Sequence, residues 1–184
     1  MTGPHSLALQ SVIGEVEAHV AEAGWDQPPQ LFALVDTEEL LRAEPQLAET
    51  MGLVGGQPGA LTPVAQEDLE EGPLDEALAG IEFGEQVVGV ALAHEVVVLP
   101  PSVEAEAEAL EDPASHPEAR DVRMVIAVVR DGSTAGVLRL RAVGDGEDER
   151  VTGPDLAPAL SEALLATLRP GSRPAPAPPS APRG

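Results

Sequence analysis

Between Ser6 and Ala23, apolar residues recur every three or four positions. Leu9, Val12, Ile13, Val16, Val20 and Ala23 make one stripe, while Gln10, Glu15, Glu17 and Glu22 are assigned to the solvent side. The pattern predicts an amphipathic helix that Ser6 can cap and Gly24 can end in a left-handed conformation, with Trp25 folding back as a core anchor. The run Leu31-Phe-Ala-Leu-Val35 then reads as a buried strand. Asp36 with Glu39 three residues on forms a capping box for a helix to about Ala43, which Pro45 stops. Residues 52–72, rich in glycine, read as a flexible loop, and Leu74, Ala77, Leu78 and Ile81 suggest a short helix after Pro73.

Val87 to Leu99 is the densest β signal, and its near-continuous apolar character predicts burial on both faces under covering helices. His94-Glu95 interrupts it, as a bulge or a hairpin turn would. Residues 101–121 form an acidic insertion, and residues 122–130 and 135–143 a hairpin around Asp131-Gly-Ser133. A three-residue connection pairs Met124 with Leu140 and Ile126 with Leu138 on one face. It gathers Arg123, Val125, Arg139 and Arg141 on the other, with Gly132 in a bulge; a two-residue connection would mix the faces. Asp145 to Arg150 reads as an acidic loop. Thr152-Gly-Pro-Asp155 reads as a second capping box, opening a helix to about Leu168 with Leu156, Leu160, Leu164 and Leu168 on one side.

The expected architecture is a single α+β domain over residues 1–168. Its sheet has four or five mainly antiparallel strands, packed by the N- and C-terminal helices. The Pro/Ala-rich tail, residues 169–184, is expected to be extended and disordered.

Composition narrows the function classes. The 184 residues carry 10 basic and 32 acidic side chains, a formal net charge of −22, and no cysteine. Thiol nucleophiles, disulfides and thiolate metal sites are therefore excluded. The acidity argues against direct contact with nucleic acid or anionic lipid, and no apolar run is long enough to span a bilayer. Every basic residue is arginine, and lysine, asparagine and tyrosine are absent. That bias fits a genome rich in guanine and cytosine, which accounts for part of the charge imbalance. Residues 122–143 and the tail from Arg169 each carry a surplus of +3, leaving −28 on the remainder.

Three stretches carry a resemblance: Val87-Val-Gly-Val-Ala-Leu running to Pro100-Pro101, Arg120-Asp-Val-Arg-Met-Val running to Asp131-Gly132, and Thr152-Gly-Pro-Asp-Leu. The chain resembles, over residues 6–168, a family of small acidic actinobacterial proteins without an assigned activity. That resemblance implies a cytoplasmic protein and transfers no functional residue.

The candidate chemistry is sparse. His5, His19, His94 and His116 are too scattered for a metal site, and no cofactor fingerprint or nucleophile motif is present. Arg123, Arg139 and Arg141 make the one candidate ligand-binding constellation, able either to clamp a carboxylate or phosphate or to pair with the protein's own acids. Three readings stay open. The first is a non-enzymatic binding or adaptor protein, chaperone-like, with an unknown protein partner and a possible homodimer. The second is an enzyme or binder of an anionic small molecule that uses the three arginines. The third is an acidic nucleic-acid mimic.

Overall fold

The computed structural model describes residues 5–53, 55, 57–66, 69 and 72–169; apart from Arg169, the tail expectation lies outside them. Six strands, β1 (Gln30–Asp36), β2 (Leu61–Ala65), β3 (Val87–Val98), β4 (Arg120–Val129), β5 (Thr134–Leu140) and β6 (Glu149–Gly153), form one sheet in the order β2-β1-β3-β4-β5-β6. Every neighbouring pair is antiparallel. The expected α+β class holds, with six strands in place of four or five.

Helix α1 (Ser6–Glu22) lies across one face of the sheet. Its Leu9, Val12, Ile13, Val16 and Val20 pack on Phe32, Leu34, Ala91, Ala93, Val125, Ala127, Ala135 and Val137. The alanines on that face let the helix approach closely, because a methyl leaves room for its larger side chains. The opposite face joins Leu31, Ala33, Val90, Leu92, Ile126 and Val128 to Leu78 of α4 (Leu74–Ala79) and Leu164 of α6 (Pro158–Thr167). The first half of β3 is thus buried on both sides, as its apolar run predicts, whereas its last residues are half-buried to exposed.

Local signals explain most elements. Asp36 caps α2 (Thr37–Ala43) by accepting from the Glu39 amide at 3.0 Å. Pro45 ends that helix by opening α3 (Pro45–Thr50), since its missing N–H costs nothing in a first turn. Gly24 turns left-handed after α1, at φ 84°. The Gln27 amide donates to the Val20 and Gly24 carbonyls at 2.8 and 2.6 Å, occupying the helix's open C-terminal acceptors. Arg130 ties the far end together: it donates to the carbonyls of Val87 and Gly84, both at 2.8 Å, and to that of Leu168 at the end of α6. A cation there also meets the negative end of the helix dipole.

Several expectations need correction. The 52–72 loop contains β2, and the supposed acidic loop and capping box at 145–155 contain β6, so α6 starts only at Pro158. His94-Glu95 is neither bulge nor turn: β3 pairs with β4 without a break from Gly89 to Val98. The acidic insertion needs no correction: its Glu104–Glu108 run, open to helix or disorder from sequence, takes the helical form as α5. The start of α1 has no side-chain cap. The hairpin keeps the predicted faces, with Gly132 at φ 89°, but is shifted by two residues, so Met124 pairs with Leu138 and Ile126 with Gly136. Both registers bury the same face. The observed one brings Gly136 against Ile126, where an added Cβ would lie 2.8 Å from its Cδ1.

Candidate functional site

Strand register brings the predicted arginines together and adds to them. Glu95 pairs with Arg123, Arg123 with Arg139, and Arg139 with Arg150, so one carboxylate and three guanidinium groups form a row across β3 to β6. The row lies on the α1 face, where residues of one parity alternate inward. Arg141 stands one step further, its amide bonded to the Asp121 carbonyl at 2.9 Å.

Each guanidinium meets a carboxylate of the same chain. Arg123, only 2% exposed, donates to Glu95 Oε1 from Nη2 at 2.8 Å and from Nε at 3.2 Å. It also donates to the Gly24 carbonyl and stacks over the Trp25 ring, 4.6 Å from its centroid. The other oxygen of Glu95 accepts from the amides of Asp26 and Gln27 at 2.8 and 3.1 Å. One carboxylate therefore holds a buried cation on one side and the α1–β1 connection on the other. That connection includes Asp26, at φ 66°.

Glu17 descends from α1 onto the other half of the row. Its two oxygens accept from Arg139 Nε at 2.7 Å and from Arg150 Nε at 2.9 Å. The residue is buried, which corrects its expected placement toward water. Arg141 bonds Asp121 at 3.1 Å, lies 3.6 Å from Asp26, and sits 5.5 Å from the Trp25 centroid. Four arginines and four carboxylates thus make a locally neutral cluster. An external anion would have to displace resident carboxylates that are already bonded and partly desolvated.

The residues that sequence reasoning missed are Glu17, Trp25, Glu95 and Arg150. Glu17 had a usable signal, since it stands four residues after Ile13 and three before Val20, on the apolar stripe itself. Arg150 had none, because its strand was not foreseen.

His94 points away from this row. Burial lowers its pKa below the ordinary 6.5 despite the neighbouring Glu95 charge, and its Nδ1 is buried without a hydrogen-bond partner. It borders a hollow of about 360 Å³ lined by Pro28, Pro29, Leu74 and Ala77. Among the described residues, no three His, Asp or Glu side chains converge as metal ligands.

The side of the sheet that His94 faces carries a second row. His94 pairs with Met124, Met124 with Leu138 and Leu138 with Val151; the next row runs Val96, Val122, Leu140. Helix α6 lies over β3 and β4. Met124, Leu138, Leu140 and Val96 are only half-buried, and Val151 is 39% exposed.

Residues 9–169 match the model of the PPA1309-like proteins. The chain belongs to the PPA1309-like protein family. The matched span runs from the first buried leucine of α1 to just past the end of α6, so it covers the arginine row and the apolar half-face alike. No curated protein and no solved structure matches the chain.

Proposed function

We propose that this PPA1309-like protein is a non-enzymatic cytoplasmic binding or adaptor protein of an actinobacterium. In this reading it holds an apolar stretch of a partner polypeptide in a chaperone-like manner. The observation that carries the reading is the half-face of Met124, Leu138, Leu140 and Val151, apolar side chains left half-buried to exposed beyond α6. Apolar surface grouped on a rigid sheet, next to strongly charged surroundings, is how protein-binding patches differ from scattered exposed leucines. With a net charge of −22, a partner segment flanked by basic residues meets the fewest repulsions.

The anion-binding alternative loses support from the pairing of Arg123, Arg139 and Arg141, because an enzyme using them needs at least one guanidinium directed at open space. Among the described residues, the nucleic-acid-mimic alternative has no comparable supporting geometry.

A photo-crosslinking residue placed at Leu140 or Val151, with Glu22 as a control on the exposed side of α1, tests the reading in native-cell extract. Discrete crosslinked polypeptides other than the chain itself, from the two sheet positions and absent from the control, are expected. The same products from all three positions, or none, would remove the reading.

A further inference from the structure

The two edges of the sheet are unlike. The β2 edge carries Pro63, which lacks an N–H and so cannot extend a ladder regularly. The β6 edge, Glu149-Arg-Val-Thr-Gly153, has no proline, and its first four residues are exposed. An unblocked edge strand is a template for another strand. We propose that β6 pairs antiparallel with β6 of a second copy of this chain, joining two six-stranded sheets through a twofold axis perpendicular to them.

Two observations select a second copy. The first is self-complementarity. An axis perpendicular to the sheet keeps like faces together, so only residues of the same parity can be opposed. A register centred on Arg150 opposes two guanidinium groups, and one centred on Thr152 leaves Glu149 unpaired. The register centred on Val151 pairs all five residues. It sets Val151 against Val151 of the partner subunit and Arg150 against Thr152 of the partner subunit, with no like charges opposed.

The second is apolar continuity. The row His94, Met124, Leu138, Val151 would run straight into its symmetry copy and cover Val151, now 39% exposed. In a chain of −22, the Arg123, Arg139, Arg141 and Arg150 groups beside this edge are balanced by Glu95, Glu17, Asp121 and Asp26, so this patch of the sheet is locally neutral, and the acids a second copy meets are those leading into β6, Asp145, Glu147, Asp148 and Glu149. The interface is small, so the dimer belongs with weak associations, with dissociation constants on the order of tens of micromolar.

The inference is independent of any partner protein, and purified chain alone tests it. Sedimentation equilibrium should show the mass rising from 19.0 kDa toward twice that value across the micromolar range. Because the chain has no cysteine, single substitutions read the register directly. Val151→Cys should form a disulfide-linked dimer under mild oxidation, and Arg150→Cys mixed with Thr152→Cys should crosslink. Arg150→Cys alone, and Val64→Cys on the β2 edge, should not. Val151→Glu opposes two carboxylates and should keep the native circular dichroism while staying monomeric. A wild-type chain monomeric up to about 1 mM, a Val151→Glu dimer, or equal crosslinking from the β2 edge would overturn the proposal.

Discussion

Glu95 and Arg123 offer the sharpest test of how this molecule is held together. Removing Glu95, as in Glu95→Leu, leaves the Arg123 guanidinium 2% exposed, with only the Gly24 carbonyl and the Trp25 ring for company. Stranding one member of a buried ion pair costs about 3–5 kcal/mol, most of it the uncompensated charge rather than the lost bond. Arg123→Met alone strands the carboxylate instead. Glu95 is 16% exposed and keeps its bonds from the Asp26 and Gln27 amides, so this variant should sit at the low end, about 3 kcal/mol. The double variant has no charge left to strand. It loses the stacking on Trp25, about 1–2 kcal/mol when desolvated, and two acceptor bonds to an exposed loop. It should therefore be more stable than Glu95→Leu, with a coupling energy above about 2 kcal/mol. Urea denaturation of the four proteins measures the cycle. Single effects that add to within about 0.5 kcal/mol would show that the pair is not an energetic unit and refute the reasoning.

Four further outcomes follow from other features of the fold. Glu17→Gln keeps the shape of the bridge to Arg139 and Arg150 but removes its charge. Because those side chains are 27% and 45% exposed, water screens part of the loss, and chemical denaturation should show about 1–2 kcal/mol. Gly89→Ala would put a methyl 2.6 Å from the Val128 carbonyl oxygen and 2.7 Å from Val129 Cγ1, so a loss of about 1–3 kcal/mol is expected. Gly14→Ala, in the middle of α1 with nothing within 4 Å, should instead gain about 0.5–1 kcal/mol, and a melting comparison of the two separates packing from propensity. His94 has a folded pKa below its ordinary 6.5, so the unfolded chain binds more protons in that window. Its contribution is whole above 6.5 and is lost as pH falls toward the folded pKa, so His94→Gln should flatten the decline in melting temperature between about pH 7.5 and 5.5. An unchanged slope would place the proton elsewhere.

What could be read from the chain depended on how much each segment buries. Strands β1, β3 and β4 announce themselves because both of their faces are apolar. Edge strand β2 does not, since Pro63 disqualifies a central strand but is tolerated where one side of the backbone faces no neighbour. Strand β6 is exposed at four of its five residues and so carries no hydrophobic pattern. Its Thr152, a good strand former, also satisfies the spacing of a helix cap. In the hairpin, face parity was legible because a one-residue slip would expose the core. The two-residue choice was not, because Leu138 and Leu140 serve the same face equally well. The arginine set was legible as a set; its partners were not, because Glu17 and Glu95 come from segments 78 residues apart in a chain with 32 acids to choose from.

The pairing also changes what the net charge means. Arg120, Arg123, Arg130, Arg139, Arg141 and Arg150, six of the ten cations and all in or beside strands β4 to β6, are committed to carboxylates or carbonyls of the same chain. The acids they meet are few, Glu17 and Glu95 in or near the core and Asp26, Asp121 and Glu149 more exposed, so the net −22 arises from the rest of the chain. A ligand that is itself an anion then faces two obstacles: long-range repulsion on approach, and guanidinium groups already occupied on arrival. An apolar or basic polypeptide faces neither. The same fixed row that discourages anions also ties the Glu149–Gly153 strand to helix α1 through Arg150 and Glu17, so the proposed docking half-face and the proposed pairing edge rest on a strand anchored from the opposite face of the sheet.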